Sequence, residues 1–172
     1  FGNKNYSKMK TCISTSLISI LSLSIVLTIL GLVFSSSLLI KLNTPESLFR
    51  ASADYLNIYT AGLVFLFLYN ICTGIFTALG DSKTPLFFLI LSSVFNVILD
   101  YILVKYTSLG VAGVAWATFI AQGIASILSF VTLVLRIRKL NCGKSKLFSF
   151  DILKKILFVK KSIIVKNQIW KH

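Results

Sequence analysis

Hydrophobic residues occur in this chain as four long, nearly uninterrupted runs. The runs cover residues 12–40, 55–79, 85–106 and 111–135. A helix needs roughly 20 apolar residues to cross the ~30 Å hydrocarbon layer of a bilayer, and unpaired backbone groups are too costly in lipid for irregular structure to do so. The pattern therefore predicts an all-α membrane protein in which the four runs are transmembrane helices.

The connections between the runs are short and rich in turn-forming residues. Residues 42–48, LNTPESL, contain a cap residue, a proline and a glutamate, and they predict a short helix between the first two spans. Residues 80–85, GDSKTP, predict a glycine that ends one helix and a proline that begins the next. Residues 107–110, TSLG, are expected to form a tight reversal, with Gly110 to Gly113 turning the chain back into the fourth span. Connections of this length make neighbouring helices antiparallel and place them in contact.

The basic residues are distributed very unequally between the two sides of these spans. The chain has 172 residues, is 56% hydrophobic, and carries a net charge of +13. Of its 18 Lys and Arg residues, only Lys41, Arg50 and Lys105 lie on one side. Short cytoplasmic loops are enriched in basic residues, so both terminal segments and the GDSKTP turn are expected to be cytoplasmic. We expect a multi-pass protein of a bacterial plasma membrane whose charge faces lipid headgroups, and no nucleic-acid partner.

The two ends of the sequence differ from the rest. The chain begins with Phe1 and is therefore expected to be a fragment. Residues 148–172 repeat apolar residues at helical spacing, but lysines interrupt every apolar window long enough to span a membrane. The sequence predicts a membrane unit over residues 1–147 and a basic amphipathic tail over 148–172, either an aberrant segment or a helix at the membrane interface.

Enzyme and metal chemistry have almost no support. Cys12, Cys72 and Cys142 lie far apart and are expected to be small buried side chains, and the only histidine is the terminal His172. These spacings predict no catalytic triad, no disulfide framework and no transition-metal site. We expect a protein that is not an enzyme and has no cofactor.

One carboxylate, Asp100, lies well inside a span. A charged group at the centre of a transmembrane helix costs about 2.5–3.5 kcal/mol on insertion scales, so such a residue is a candidate functional residue. Asn96 lies one turn before it on the same helical face. Thr118 of the fourth span is expected at the same depth, roughly 9 Å below the outer surface. We expect these three residues to form one site.

Other polar residues follow the same helices at helical spacing. Gln122 continues the face of the fourth span, and Asn70 and Thr73 lie on the second span, nearer the cytoplasm. They could line a cavity. Side chains of these types also hold membrane helices together by hydrogen bonding without any role in transport, and the sequence leaves both interpretations open.

The chemistry of the three-residue site is that of a charge switch. Burial disfavours the charged form of a carboxylate, so Asp100 is expected either to take up a proton or to bind a small hard cation such as Na⁺. Asn96 and Thr118 would contribute oxygen ligands or hydrogen bonds. Coupled to a rearrangement of the helices, this site would let an ion gradient drive the movement of another molecule.

Two segments carry a specific combination of motifs. ALGDSKTPLFFLILSSVFNVILDYILV, residues 78–104, contains the GDSKTP turn and the N-x-x-x-D pair, and LGVAGVAWATFIAQGIASIL, residues 109–128, follows it. This combination resembles the multidrug and toxic compound extrusion (MATE) family of ion-coupled exporters. The resemblance covers residues 1–145 and implies helices three to six of a twelve-helix, two-lobe fold.

The resemblance also implies function. It implies an antiporter that exports small organic, often cationic, compounds or drugs in exchange for H⁺ or Na⁺, with part of the ion site at Asp100, Asn96 and Thr118. The family's acidic residue on helix one and its second lobe have no counterpart here, and the resemblance is expected to end near Leu147. Two alternatives remain: a non-transporting fragment or scaffold whose polar residues only pack helices, and a related lipid-linked sugar flippase.

Overall fold

The computed structural model describes residues 6–139 and 147–156, and within them the chain is helical with no β-strand. Residues 150–156 form a short helix. The five long helices are α1 (Tyr6–Lys41), α2 (Glu46–Ala61), α3 (Leu63–Ala78), α4 (Lys83–Tyr106) and α5 (Val111–Arg138). They provide four segments that are long and apolar enough to cross a membrane. The predicted all-α membrane fold with four spans is confirmed.

The segment before the second span differs from its prediction. No separate short helix follows Pro45; instead α2 begins at Glu46, nine residues before the predicted start at 55, and continues toward α3 as one apolar segment, Glu46–Ala78. Hydropathy detects only the part of a helix that lies in lipid, whereas the helix itself extends beyond the lipid. The segment is interrupted at Gly62, where an added Cβ would lie 3.2 Å from the carbonyl oxygen of Tyr59 and 3.5 Å from Phe119.

The turn between α3 and α4 uses the predicted glycine in a Schellman motif. Gly80 has a φ of +82°, which favours glycine. Its N–H donates to the carbonyl of Thr77 at 3.0 Å, and the N–H of Asp81 donates to the carbonyl of Phe76 at 2.9 Å. Asp81 then accepts a hydrogen bond from the N–H of Thr84 at 3.1 Å, which satisfies a backbone donor in the first turn of α4. One acidic residue therefore both follows α3 and caps α4.

The carboxylate of Asp81 is held in its charged form. Hydrogen bonds from the hydroxyl and the N–H of Thr84, and then the Arg136 guanidinium, lower the pKa of Asp81 from 3.8 to about 2. Because the folded-state pKa is depressed, this stabilisation is complete above about pH 4 and is lost as the pH falls through 2. We expect the difference in thermal stability between wild type and Asp81→Asn to be constant from pH 7 to 4 and to shrink toward zero near pH 2. A difference that did not change down to pH 2 would contradict this assignment.

Helix α5 packs against α2, α3 and α4 and forms the centre of the described bundle. Small residues on its buried faces allow this close packing; they are Gly113, Ala115, Ala117, Ala121, Gly123, Ala125, Ser126 and Ser129. The reversal predicted over residues 107–110 is confirmed, and it ends at Gly110, whose φ is +52°. Gly113, which was expected to belong to the turn, lies within α5. A Cβ on Gly113 would lie 3.4 Å from the backbone of Leu103, so this glycine brings α5 directly onto α4.

We call the end of the bundle that contains the start of α1, residues 79–82 and the end of α5 the inner end, and the end that contains residues 42–45 and 107–110 the outer end. Near the inner end, α1, α3 and α5 share an apolar core of Ile13, Cys72, Ile75, Phe76 and Leu133. Cys72 is fully buried as predicted, Cys12 is half-buried, and Cys142 lies outside the described residues. Large apolar side chains are exposed along α1 and α4, as expected for surfaces that face lipid.

Part of the predicted tail packs onto α1. The N–H of Ser149 donates to the Thr15 hydroxyl at 3.2 Å, and Thr15 is fully buried. Leu147 and Phe150 are exposed, and the Lys154 ammonium lies 5.9 Å from the centre of the Phe150 ring. Residues 157–172, the rest of the tail, lie outside the described residues.

Candidate intramembrane polar site

A cavity of about 310 Å³ lies where α3, α4 and α5 face one another within the membrane-spanning region. Its volume falls at the lower end of the range of small-molecule pockets, roughly 300–1,000 Å³. Six polar side chains and one tyrosine contribute to its wall, together with aliphatic residues. The polar side chains are Asn70, Ser92, Ser93, Asn96, Thr118 and Gln122, and the tyrosine is Tyr69. Because Asn70, Leu89 and Ser93 are exposed, the cavity is open on one side among the described helices.

Helices α4 and α5 are joined across this cavity by polar contacts. The amide nitrogen of Asn96 donates to the Thr118 hydroxyl at 3.3 Å, and the Ser92 hydroxyl donates to the carbonyl of Ala121 at 3.2 Å. Hydrogen bonds between membrane helices contribute about 0.6 kcal/mol on average, so these contacts orient the helices more than they stabilise them. The structure thus brings together two of the three residues expected to form the ion site.

Asp100 lies one helical turn from Asn96 toward the outer end and does not line the cavity. The contacts of Asn96 with Thr118 and of Leu103 with Gly113 show that Asp100 faces the part of α5 between these two residues. Thr118 therefore lies opposite Asn96. Counting residues from the helix ends had instead predicted that Thr118 lies at the depth of Asp100. The physical reason is the close approach at Gly113, which sets how far α5 is shifted along α4.

The Asp100 carboxyl has an unsatisfied buried atom. Its Oδ1 is shielded from solvent and accepts no hydrogen bond from any residue that the structure describes. Among the residues that the structure describes, no Lys or Arg side chain forms an ion pair with Asp100. The Lys105 side chain instead lies 4.8 Å from the Tyr101 ring centre and is exposed. A buried carboxylate oxygen without a hydrogen-bond partner is energetically costly, and this oxygen is free to bind a ligand.

The three candidate cavity-lining residues take different positions. Gln122 lines the cavity and is half-buried. Asn70 also lines it, but its amide donates to the carbonyl of Leu66 on its own helix at 2.8 Å. Thr73 is not part of the wall, and its buried hydroxyl oxygen has no hydrogen-bond partner among the described residues.

Sequence reasoning missed Tyr69. Its ring lines the cavity, and its hydroxyl donates to the carbonyl of Pro85 at 2.7 Å, which ties α3 to the first turn of α4. The signal available in the sequence was weak, because Tyr69 is one of three tyrosines within the predicted span 55–79 and differs from the others only in lying next to Asn70. A buried tyrosine hydroxyl usually finds a partner, but the sequence does not indicate which carbonyl it reaches.

The available donors suit a proton or a hard cation better than a transition metal. No cluster of three His, Cys, Asp or Glu side chains occurs in the part of the chain that the structure describes. The Asp100 carboxylate, the amide oxygen of Asn96 and the hydroxyl of Thr118 are oxygen ligands of the kind that Na⁺ and similar ions prefer. Since the Asn96 amide nitrogen donates to Thr118, its oxygen remains an acceptor.

Four membrane-spanning segments, three of which line a partly open polar cavity, define a multi-pass membrane protein. The MatE family model matches residues 1–102. The chain belongs to the MatE family.

Curated relatives are similar over much of this chain. The protein named "Probable multidrug resistance protein YoeA" of Bacillus subtilis (strain 168) is 34% identical over 81% of this chain and 30% of its own length. "Probable multidrug resistance protein YpnP" of the same organism is 32% identical over 96% of this chain and 35% of its own. "Probable lipid II flippase MurJ" of Thermotoga maritima is 37% identical over 52% of this chain. The chain spans about a third of the length of the first two relatives. Since the YpnP match extends into residues 148–172, the resemblance does not end near Leu147.

Solved structures show the same helix arrangement. The outward-facing conformation of a multidrug resistance MATE family transporter of the MOP superfamily aligns with a TM-score of 0.74 at 26% identity, over 88% of this chain and 34% of that one. The inward-facing conformation of such a transporter aligns with a TM-score of 0.77 at 24% identity, which shows the fold alone.

Proposed function

We propose that this chain forms part of the amino-terminal lobe of an antiporter that exports organic compounds across the plasma membrane, with Asp100 as the residue that couples export to an ion gradient. The observation that carries the proposal is the buried, unpartnered Oδ1 of Asp100. It lies one turn from an amide and a hydroxyl that already join α4 to α5. Membership of the MatE family supports the same function.

The proposed mechanism uses the α4–α5 contact as the responsive element. A bound proton or Na⁺ would neutralise Asp100 and change which groups the Asn96 amide and the Thr118 hydroxyl bind. An ion shifts a conformational equilibrium only by the difference in its affinity for the two states, so the site must be better formed in one state than in the other. Carboxylate, amide and hydroxyl groups suit both ions, and either is consistent with the site.

The exposed polar residues on the open side of the cavity are evidence that further helices of a longer protein cover this side. The exposed Asn70 and Ser93 would face hydrocarbon if nothing else covered them. In our proposal the rest of a longer exporter, which we call the parent transporter, covers this side and supplies the remaining helices. Its substrates would be small organic, often cationic, compounds, and the inner end would face the cytoplasm.

The test is gradient-driven export by the parent transporter in sealed vesicles. We expect efflux of a cationic dye when a Na⁺ gradient or a pH gradient is imposed, and background efflux when neither is present. The gradient that drives export identifies the coupling ion. No gradient-dependent efflux, with the protein inserted and monodisperse, would favour the non-transporting scaffold.

The flippase alternative has one specific observation in its favour, the match to the protein named as a lipid II flippase. Against it, the cavity wall contains no Lys or Arg among the described residues that could bind a pyrophosphate. Protection of a lipid-linked sugar pyrophosphate from an external enzyme, with no dye efflux, would favour the flippase.

A further inference from the structure

A second charged group links helices at the inner end, far along α4 and α5 from Asp100. The Arg136 guanidinium on the last turn of α5 donates to Oδ2 of Asp81. The Thr84 hydroxyl donates to the same oxygen at 2.7 Å, and the Thr84 N–H donates to Oδ1 at 3.1 Å. The carboxylate is therefore held by α4 before it binds α5. We call this arrangement of Asp81, Thr84 and Arg136 the inner clamp.

The inner clamp joins α4 to α5 at the inner end, whereas a short loop already joins these two helices at the outer end. At the outer end, residues 107–110 connect α4 to α5 directly. At the inner end no loop joins the two helices, and the Asp81–Arg136 ion pair connects them instead. The Asn96–Thr118 contact lies between these two ties. Since α3 enters the same turn through Gly80, the clamp holds three helices at one point.

We propose that Arg136 is a positioning residue for ion coupling: by holding α5 to the α3–α4 turn, it keeps Thr118 opposite Asn96 while the outer half of the helix pair responds to the ion. This proposal rests on the proposed function of Asp100. Without the clamp, α5 could slide or tilt relative to α4, and the alignment of the amide with the hydroxyl would be lost in part of the population. The clamp residues do not line the cavity between α3, α4 and α5.

Because the inner clamp is only partly buried, it can align α4 with α5 while contributing little to the free energy of unfolding. The Asp81 side chain is 16% exposed and the Arg136 side chain 47% exposed, so solvent and salt screen the pair. Because Thr84 fixes the carboxylate, less conformational freedom is lost when Arg136 binds than in an ordinary surface pair. A contact of this kind influences alignment more than folding.

The test compares two arginines on the same helical turn of the parent transporter. Arg136→Gln removes the ion pair, and Arg138→Gln removes the same charge from an exposed residue with no ion pair among the described residues. We expect Arg136→Gln to raise the concentration of the driving cation needed for half-maximal export by between about twofold and thirtyfold. Arg138→Gln should leave it unchanged, and Arg136→Lys, which keeps the charge, should recover most of the loss.

Asp81→Asn completes the comparison, because an asparagine can still cap α4 but cannot form the ion pair. The double variant Asp81→Asn/Arg136→Gln should be no worse than either single variant, as expected for two residues that act through one contact. Fully additive effects, or equal effects of Arg136→Gln and Arg138→Gln, would overturn the proposal.

A distance measurement separates failure of the clamp from failure of the proposed function. Spin labels at the exposed positions Leu86 on α4 and Val131 on α5, in a background without native cysteines, report the separation of the two helices near the inner end. We expect one narrow distance distribution in wild type and a broader one in Arg136→Gln, whether or not the protein exports. If wild type exports and Asp100 is required, but Arg136→Gln changes neither distance nor cation dependence, the clamp proposal alone is wrong.

Discussion

Replacing Asp100 by asparagine should abolish gradient-driven export by the parent transporter while leaving the amount of inserted protein unchanged. The asparagine has almost the same shape but cannot carry the charge that a proton or Na⁺ neutralises. Without that charge the imposed gradient has no group at this position through which to shift the conformational equilibrium. We expect efflux of a cationic dye to fall to the level measured without a gradient.

The matched control is the same substitution at Asp54, an exposed residue of α2. Asp54→Asn should export as wild type does. If Asp100→Asn also exported normally, Asp100 would not be the coupling residue. If it instead lowered only the stability of the protein, with transport per folded molecule unchanged, the polar residues of α4 and α5 would have the packing role that the sequence left open.

The second large effect concerns folding, and it arises where α1 crosses α2. An ideal Cβ added at Gly31 would lie 2.5 Å from Cγ2 of Thr60, a β-branched side chain that is only 5% exposed. Gly31→Val adds two further carbons beyond that Cβ, so one of the helices must move. Overpacking of this kind costs about 1–3 kcal/mol, and we expect the upper end, about 3 kcal/mol, because Thr60 has little room to rotate.

The measurement is the fraction of the chain that stays monodisperse after heating in detergent. Gly74→Val provides the control, because a Cβ at Gly74 meets no atom within 4 Å. The two variants make the same change in helix propensity, so the difference between them isolates the contact with Thr60. Equal melting behaviour of the two variants would show that α1 and α2 do not pack at Gly31.

Hydropathy and turn chemistry were sufficient to predict the four spans, because both are local properties. The apolar run that ends at Tyr106 and the helix-ending Gly80 are read from a few consecutive residues and agree with the structure. The start of the second span was misplaced because residues 46–54 contain three charged side chains and are nevertheless helical. A hydropathy pattern cannot separate a helix that leaves the lipid from a loop.

The contacts between helices could be predicted only in part. Helical spacing indicated that Asn96 and Asp100 share a face, and short loops indicated that α4 lies beside α5. The exact shift of one helix along the other depends on the approach of Gly113 to Leu103, which no local pattern encodes. The Asp81–Arg136 pair joins residues 55 positions apart, so no local pattern indicates it. The position of Arg136 was explained equally well by the preference for basic residues on the cytoplasmic side.

The open wall of the cavity restricts what can lie against it. Acyl chains accept no hydrogen bonds, so a neighbouring lipid would leave the amide of Asn70 and the hydroxyl of Ser93 satisfied only by their own backbones. A helix that packs against this side of the cavity would therefore be stabilised if it placed polar side chains at the depth of Asn70 and Ser93, where they could form hydrogen bonds. Mutational covariation between such a helix and these two residues would reveal which segment of a longer polypeptide is the neighbour.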